Sequence, residues 1–212
     1  MLGRPESYFR GPDEALWAAR FGLSTDGSLV RDYPAFVRAV RETATTANGV
    51  FAARVMWGSV EGVVERLGRS PGESDLATLE RALGPLSVVH LRREDVVGQA
   101  VSWCRAEQTG FWQHGDVATG PPRQDLDAAR ALVRTIRDHD AAWRSWFDRQ
   151  GVRPHVVTYE EVVHDPRATV EGIAAHLGVA VPAHWQPRSP HRRQADGVNA
   201  EWAAALRAVL DG

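Results

Sequence analysis

The residues with the most chemical content sit in one stretch, Val88 to Trp103 (VVHLRREDVVGQAVSW). An apolar run ends in Arg92 and Arg93, the acids Glu94 and Asp95 follow, and a helix-like pattern then carries Ser102. A β-branched run of this kind reads as a strand, Ser87 to Leu91, and Asp95 opens a helix running to about Gln113. Ser102 follows Asp95 by two turns, on one helical face. An arginine and a hydroxyl beside the free N–H groups of a helix start make a pocket for a terminal phosphate. The competing reading is an arginine paired with Glu94 or Asp95 at the surface, an arrangement worth little. Strand-end arginines are common, and the residues alone leave both readings open.

Other chemistries are poorly served. The sequence holds no lysine, so all 25 of its Lys and Arg residues are arginine. Schiff-base chemistry and a Walker-type lysine are thereby excluded. Any phosphate or sulfate contact must use arginine, backbone amides or hydroxyls. A net charge of −2 offers no broad cationic field for nucleic acid. His139 lies between Asp138 and Asp140, but adjacent helical residues point apart, and His184 and His191 have no cysteine partner. No metal site is expected. A Gly-x-Ser-x-Gly hydrolase elbow is absent from the sequence. The single cysteine, Cys104, cannot form an internal disulfide and reads as a small buried hydrophobe. The eight tryptophans read mainly as core, with Trp112 and Trp185 placed to line a sugar cleft. No apolar run approaches the ~20 residues of a membrane span, and Met1 to Pro5 is no signal peptide, so a cytoplasmic protein is expected.

The elements that must position these groups can be read along the chain. Residues 1–30 look irregular apart from a short helix, Pro12 to Phe21. Helical spacing marks Tyr33 to Thr46, Ser59 to Leu67 and Asp75 to Leu83, the last capped by Ser74 after a Ser70–Glu73 turn. Asn48-Gly49 breaks the chain ahead of a short strand, Val50 to Trp57. After a loop from Asp116 to Arg123 come a long amphipathic helix, Asp125 to Gln150, and a strand, His155 to Thr158. A helix from Pro166 to Leu177, closed by Gly178, and a C-terminal helix complete the series. Short strands alternating with longer helices argue for one α/β domain over residues 1–212, a layered sandwich around a mainly parallel sheet.

Several segments, in order, resemble PAPS-dependent sulfotransferases (PAPS being 3′-phosphoadenosine 5′-phosphosulfate), most closely the bacterial trehalose 2-sulfotransferase-like family. They are GRPESYF (3–9), NGVFAARVMW (48–57), the Arg92–Ser102 stretch, VTYEEVVHDPRATVEGIAAHLG (157–178) and RQADGVNAEW (193–202). The resemblance implies a three-layer α/β sandwich of the P-loop NTPase-like type. It implies transfer of a sulfuryl group from PAPS, without a metal, to a hydroxyl of a carbohydrate or small metabolite. Arg93 and Ser102 would hold the 3′-phosphate, with Arg193 and Gln194 reaching it from the C-terminal loop. Arg54 stands where the family usually has lysine and would steady the transferring group.

The same resemblance exposes departures. The family's N-terminal strand and Arg-Ser-Gly-Ser-Thr loop, which cradle the 5′-phosphosulfate, have no counterpart in the sequence. The expectation is therefore a domain lacking that strand, either an N-terminally truncated enzyme or a silent relative that binds a nucleotide or partner. A sheet edge left open would favour a homodimer. The family's general base is a glutamate two residues after the loop proline. Here that position is Ser7 and the carboxylate is Glu6, one residue earlier, which in an extended loop faces the other way. Glu6 is the remaining candidate base.

Overall fold

The computed structural model describes residues 1–27, 29–112, 116–186 and 197–211. Its helices and strands are α1 (Gly11–Arg20), β1 (Thr25–Asp26), β2 (Leu29–Val30), α2 (Tyr33–Ala44), α3 (Trp57–Arg66), α4 (Asp75–Leu83), β3 (Val89–Arg92), α5 (Val96–Thr109), α6 (Leu126–Gln150), β4 (His155–Thr158), α7 (Tyr159–His164), α8 (Pro166–His176) and α9 (Gly197–Asp211). This is the mixed α/β class with a small parallel sheet, in which β3 and β4 are neighbours. β1 and β2 form a separate antiparallel hairpin, in a region whose sequence reads as irregular.

Internal contacts divide the chain into two units. The first comprises Met1–Val89, Ser145–His155 and Glu171–Ala183; the second comprises His90–Arg144, Val156–Val170 and His184–Gly212. β3, α6 and β4 each run from one unit into the other.

In the first unit α2 buries Tyr33, Phe36, Val37, Val40 and Ala44, the spacing of a single helical stripe. This stripe joins Tyr8, Phe9, Ala18, Val30 and Val63 in one apolar cluster. Ser74 Oγ accepts from Ala77 N at 3.1 Å and caps α4. The strand expected over Val50–Trp57 is replaced by two isolated bridges, Thr45 with Phe51 and Glu6 with Ala53. Pro5, beside Glu6, has no N–H to extend the second pairing. Gly3 lies so close to this segment that a Cβ would sit 2.5 Å from Ala52 N, and its φ of 76° suits glycine.

In the second unit Ala100, Val101 and Cys104 of α5 pack with Ala129, Val133 and Ile136 of α6 and with Trp202, Ala203 and Leu206 of α9. Helix α5 ends at Thr109, four residues before the expected Gln113. Gly110 adopts the left-handed conformation and donates its N–H to Ala106 O at 2.8 Å, which closes the helix.

Candidate functional site

At the end of β3 the chain turns into α5. Asp95 is the N-cap, its Oδ1 accepting from Gly98 N at 2.9 Å and from Arg207 Nη2 of α9 at 2.8 Å. Arg93 lies beside this turn with its Cζ 4.7 Å from the centroid of the Tyr159 ring. Its Nη2 is 3.8 Å from Asp95 Oδ2 and its Nε 3.9 Å from Glu160 Oε1. Both separations exceed hydrogen-bonding distance. The Nε atoms of Arg92 and Arg93 are buried and have no hydrogen-bond partner. Among the described residues the ion-pair partner of Arg92 is Glu94, at 4.0 Å. Orphaned donors of this kind are uncommon and call for an explanation. An anion would meet Arg93 at its Nη groups, which unlike Nε are not among the buried orphan atoms.

Gly98 makes the space. A Cβ there would collide with the Asp95 carboxylate and lie 3.0 Å from Arg93 Nη2. Ser102, one turn further along α5, is half-buried and on the same helical face as Gly98. A surface cavity of 460 Å³ opens here, lined by Arg93, Asp95, Tyr159, Glu160, Val163 and His164. Another recess, of 540 Å³, lies at the C-terminal end of α2 and includes none of the expected site residues.

Glu160 sits on the turn itself. Its carboxylate accepts from Glu94 N at 3.1 Å and from Asp95 N at 3.3 Å. Burial raises its pKa, but these backbone donors and the charge of Arg93 outweigh that and hold it below the usual carboxylate value. Sequence reasoning gave Tyr159, Glu160 and Gly98 no role. The readable signal was Thr158-x-x-Glu161, a capping box in which Thr158 N donates to Glu161 Oε2 at 2.7 Å and Glu161 N to Thr158 Oγ1 at 3.2 Å. That box fixes the junction of β4 and α7 from which Tyr159 and Glu160 project.

The remaining expected residues lie in the first unit. Arg54 N donates to Glu6 O at 3.0 Å, so the two backbones run together. The side chains do not pair. Arg54 Nε and Nη2 donate to Ser7 Oγ at 2.9 and 2.6 Å. Glu6 is exposed together with Arg4 and Pro5, and Ser7 is buried together with Tyr8 and Phe9, so burial steps once along the loop and does not alternate. Arg193 and Gln194 lie outside the described residues. Among the described residues no cluster of three or more metal-ligating side chains occurs, and no helix is long and apolar enough to cross a membrane.

A strand-end arginine that borders an open cavity and lacks a close protein acceptor is equipment a phosphoryl- or sulfuryl-handling protein would use. The sequence comparisons agree with that class. The family model described as Stf0 sulphotransferase matches residues 1–209, and the chain belongs to that family. The chain is 29% identical over 220 residues to a trehalose 2-sulfotransferase of Mycobacterium tuberculosis (strain ATCC 35801 / TMC 107 / Erdman), covering 98% of this chain and 80% of that protein. It is 28% identical over 186 residues to a trehalose 2-sulfotransferase of Mycolicibacterium smegmatis (strain ATCC 700084 / mc(2)155), covering 85% of this chain and 67% of that protein.

Proposed function

We propose that this chain is a PAPS-dependent sulfotransferase domain of the layered α/β sandwich type, acting on a hydroxyl of a carbohydrate or small metabolite. The observation that carries the reading is Arg93: a guanidinium at a strand end, laid over Tyr159, whose buried Nε has no hydrogen-bond partner. Arg93 and Ser102 bind the 3′-phosphate, and the family resemblance adds Arg193 and Gln194 as further ligands. The family membership and the two trehalose 2-sulfotransferase relatives support the reaction class and a sugar acceptor.

In the reaction the acceptor oxygen forms a bond to sulfur as the bond from sulfur to the 5′-phosphate oxygen breaks. The acceptor proton passes to a base, and 3′-phosphoadenosine 5′-phosphate (PAP) leaves. Glu6, the exposed carboxylate of the Pro5–Ser7 loop, takes the proton. Arg54, anchored through Nε and Nη2 on Ser7, keeps Nη1 for an oxygen of the transferring group.

Calorimetric titration tests the nucleotide half of this reading. PAP is expected to bind at least ~10-fold more tightly than AMP, and Arg93→Ala to bring PAP down to the level of AMP, the size of a lost charge-assisted contact. Equal binding of the two nucleotides, or an Arg93→Ala variant that keeps the preference, overturns it.

A further inference from the structure

Among the described residues Arg93 reaches no oxygen within hydrogen-bonding distance, yet its side chain is only 23% exposed. Something other than its own hydrogen bonds must hold it. We propose that Glu160 is the positioning residue for Arg93, fixing both the guanidinium and the turn it stands on in the posture that receives the nucleotide's 3′-phosphate. The proposal rests on the phosphate-binding reading of Arg93 given above.

The geometry divides the work. The two oxygens of Glu160 accept from consecutive backbone N–H groups, those of Glu94 and Asp95, and so pin the β3–α5 turn across more than sixty residues of sequence. From there Oε1 lies 3.9 Å from Arg93 Nε, near enough to attract the charge but too far to occupy the donor. Tyr159 supports one face of the same guanidinium. Face and charge are thus held while the Nη groups, unlike the buried Nε, are left for a ligand.

Asp95 is the obvious competitor for Arg93, at 3.8 Å. Its Oδ1 accepts from Gly98 N and Arg207 Nη2, which fixes the carboxylate as the α5 cap, with Oδ2 facing Arg93 Nη2 and Glu160 Oε1 facing Nε. The Thr158–Glu161 capping box keeps Glu160 in register at the start of α7. The depressed pKa of Glu160 agrees with a carboxylate that stays charged in this role.

The test is a double-mutant cycle read by PAP titration, with wild type, Glu160→Gln, Arg93→Ala and the double variant, each also checked by thermal melting. Glu160→Gln removes the charge and keeps one of the two acceptor oxygens, its NH2 group facing the other backbone N–H. It should weaken PAP roughly 10-fold and leave the weak AMP binding unchanged. In the Arg93→Ala background the same change should cost nothing further, because the residue it positions is gone. Equal losses in both backgrounds, or parallel losses for PAP and AMP, would make Glu160 a general structural residue and overturn the proposal. Failure of the two readings looks different. If Arg93→Ala leaves PAP unaffected, the phosphate reading falls and the proposal with it; if Arg93→Ala abolishes the preference while Glu160→Gln keeps it, only the positioning role falls. Should the Gln variant melt below the assay temperature, Glu160→Asp, which retains the charge on a shorter arm, runs through the same cycle with a smaller loss expected.

Discussion

Two arginines in this molecule lie over tyrosine rings beside a glutamate, and they differ in how fully the guanidinium is used. Arg66 sits with its Cζ 3.9 Å from the Tyr33 centroid, its Nη2 donating to Val30 O at 3.0 Å and its Nη1 to the buried carboxylate of Glu14. Arg93 sits over Tyr159 with carboxylates at 3.8 and 3.9 Å and an Nε without a partner. The residue types are nearly the same. Closure of the hydrogen bonds separates them: both Nη groups of Arg66 are bonded within the fold, whereas the nearest carboxylate oxygens of Arg93 stand beyond hydrogen-bonding distance. A buried ion pair that satisfies itself holds α1, β2 and α3 together, and one held short of contact is poised to bind.

The comparison breaks most readily at Arg66. Arg66→Met leaves Glu14, only 3% exposed, as an uncompensated buried charge. A loss of about 3–5 kcal/mol in unfolding free energy is expected from urea denaturation. Arg93→Met, which breaks only long contacts, should stay within about 1 kcal/mol of wild type. If the two variants lose equal stability, closure does not separate the roles.

A pair of glycines sharpens the contrast at smaller cost. Gly98→Ala drives a methyl into Asp95 and toward Arg93 Nη2, so a loss of about 1–3 kcal/mol and weakened PAP binding should appear together. Gly62 lies inside α3 with nothing within 4 Å of a built Cβ. Gly62→Ala should therefore gain up to ~1 kcal/mol, from the better helix propensity of alanine. Thermal melting of the two variants should give shifts of opposite sign.

Much of this was legible in the sequence, and what was not has physical reasons. The helices α2, α4 and α6 follow from stripe spacing and caps that lie within one element. Arg93 could be singled out only through the family resemblance, since a strand-end arginine beside Glu94 and Asp95 reads equally as a surface ion pair. Glu160 could not, since its partners Glu94 and Asp95 are 66 and 65 residues away, and only the pairing of β3 with β4 brings them near. Val50–Trp57 has the composition of a strand but faces a neighbour interrupted by Pro5, so pairing stops at single bridges. Gly110 was a readable stop for α5 that the apolar pattern beyond it obscured. Ser7 was readable as a departure from the family's pattern, but its use as the seat of Arg54 depends on the register of two loops.

The finest test of the comparison is Tyr33, the ring beneath the closed arginine. Its hydroxyl is buried and has no hydrogen-bond partner. Burial pushes its pKa well above the usual tyrosine value; the charge of Glu14 pushes the same way, and Arg66 opposes them. A raised folded-state pKa favours the protonated form, so this contribution is fully present below the unfolded value of about 10. It is lost as pH rises from about 10 toward the folded value, because the unfolded chain then ionises first. Tyr33→Phe keeps the ring under Arg66 and removes both the orphan hydroxyl and its titration. At neutral pH the variant should match wild type or gain about 1 kcal/mol, and between about pH 9 and 11 it should lose less stability than wild type. The chain has no lysine to titrate in that window. Tyr8 and Cys104, whose pKa values burial also raises, contribute equally to both proteins and cancel in the difference. Parallel alkaline losses in the two proteins would mean that Tyr33 is wetted in solution, and that the Arg66 cluster is less closed than its hydrogen bonds imply.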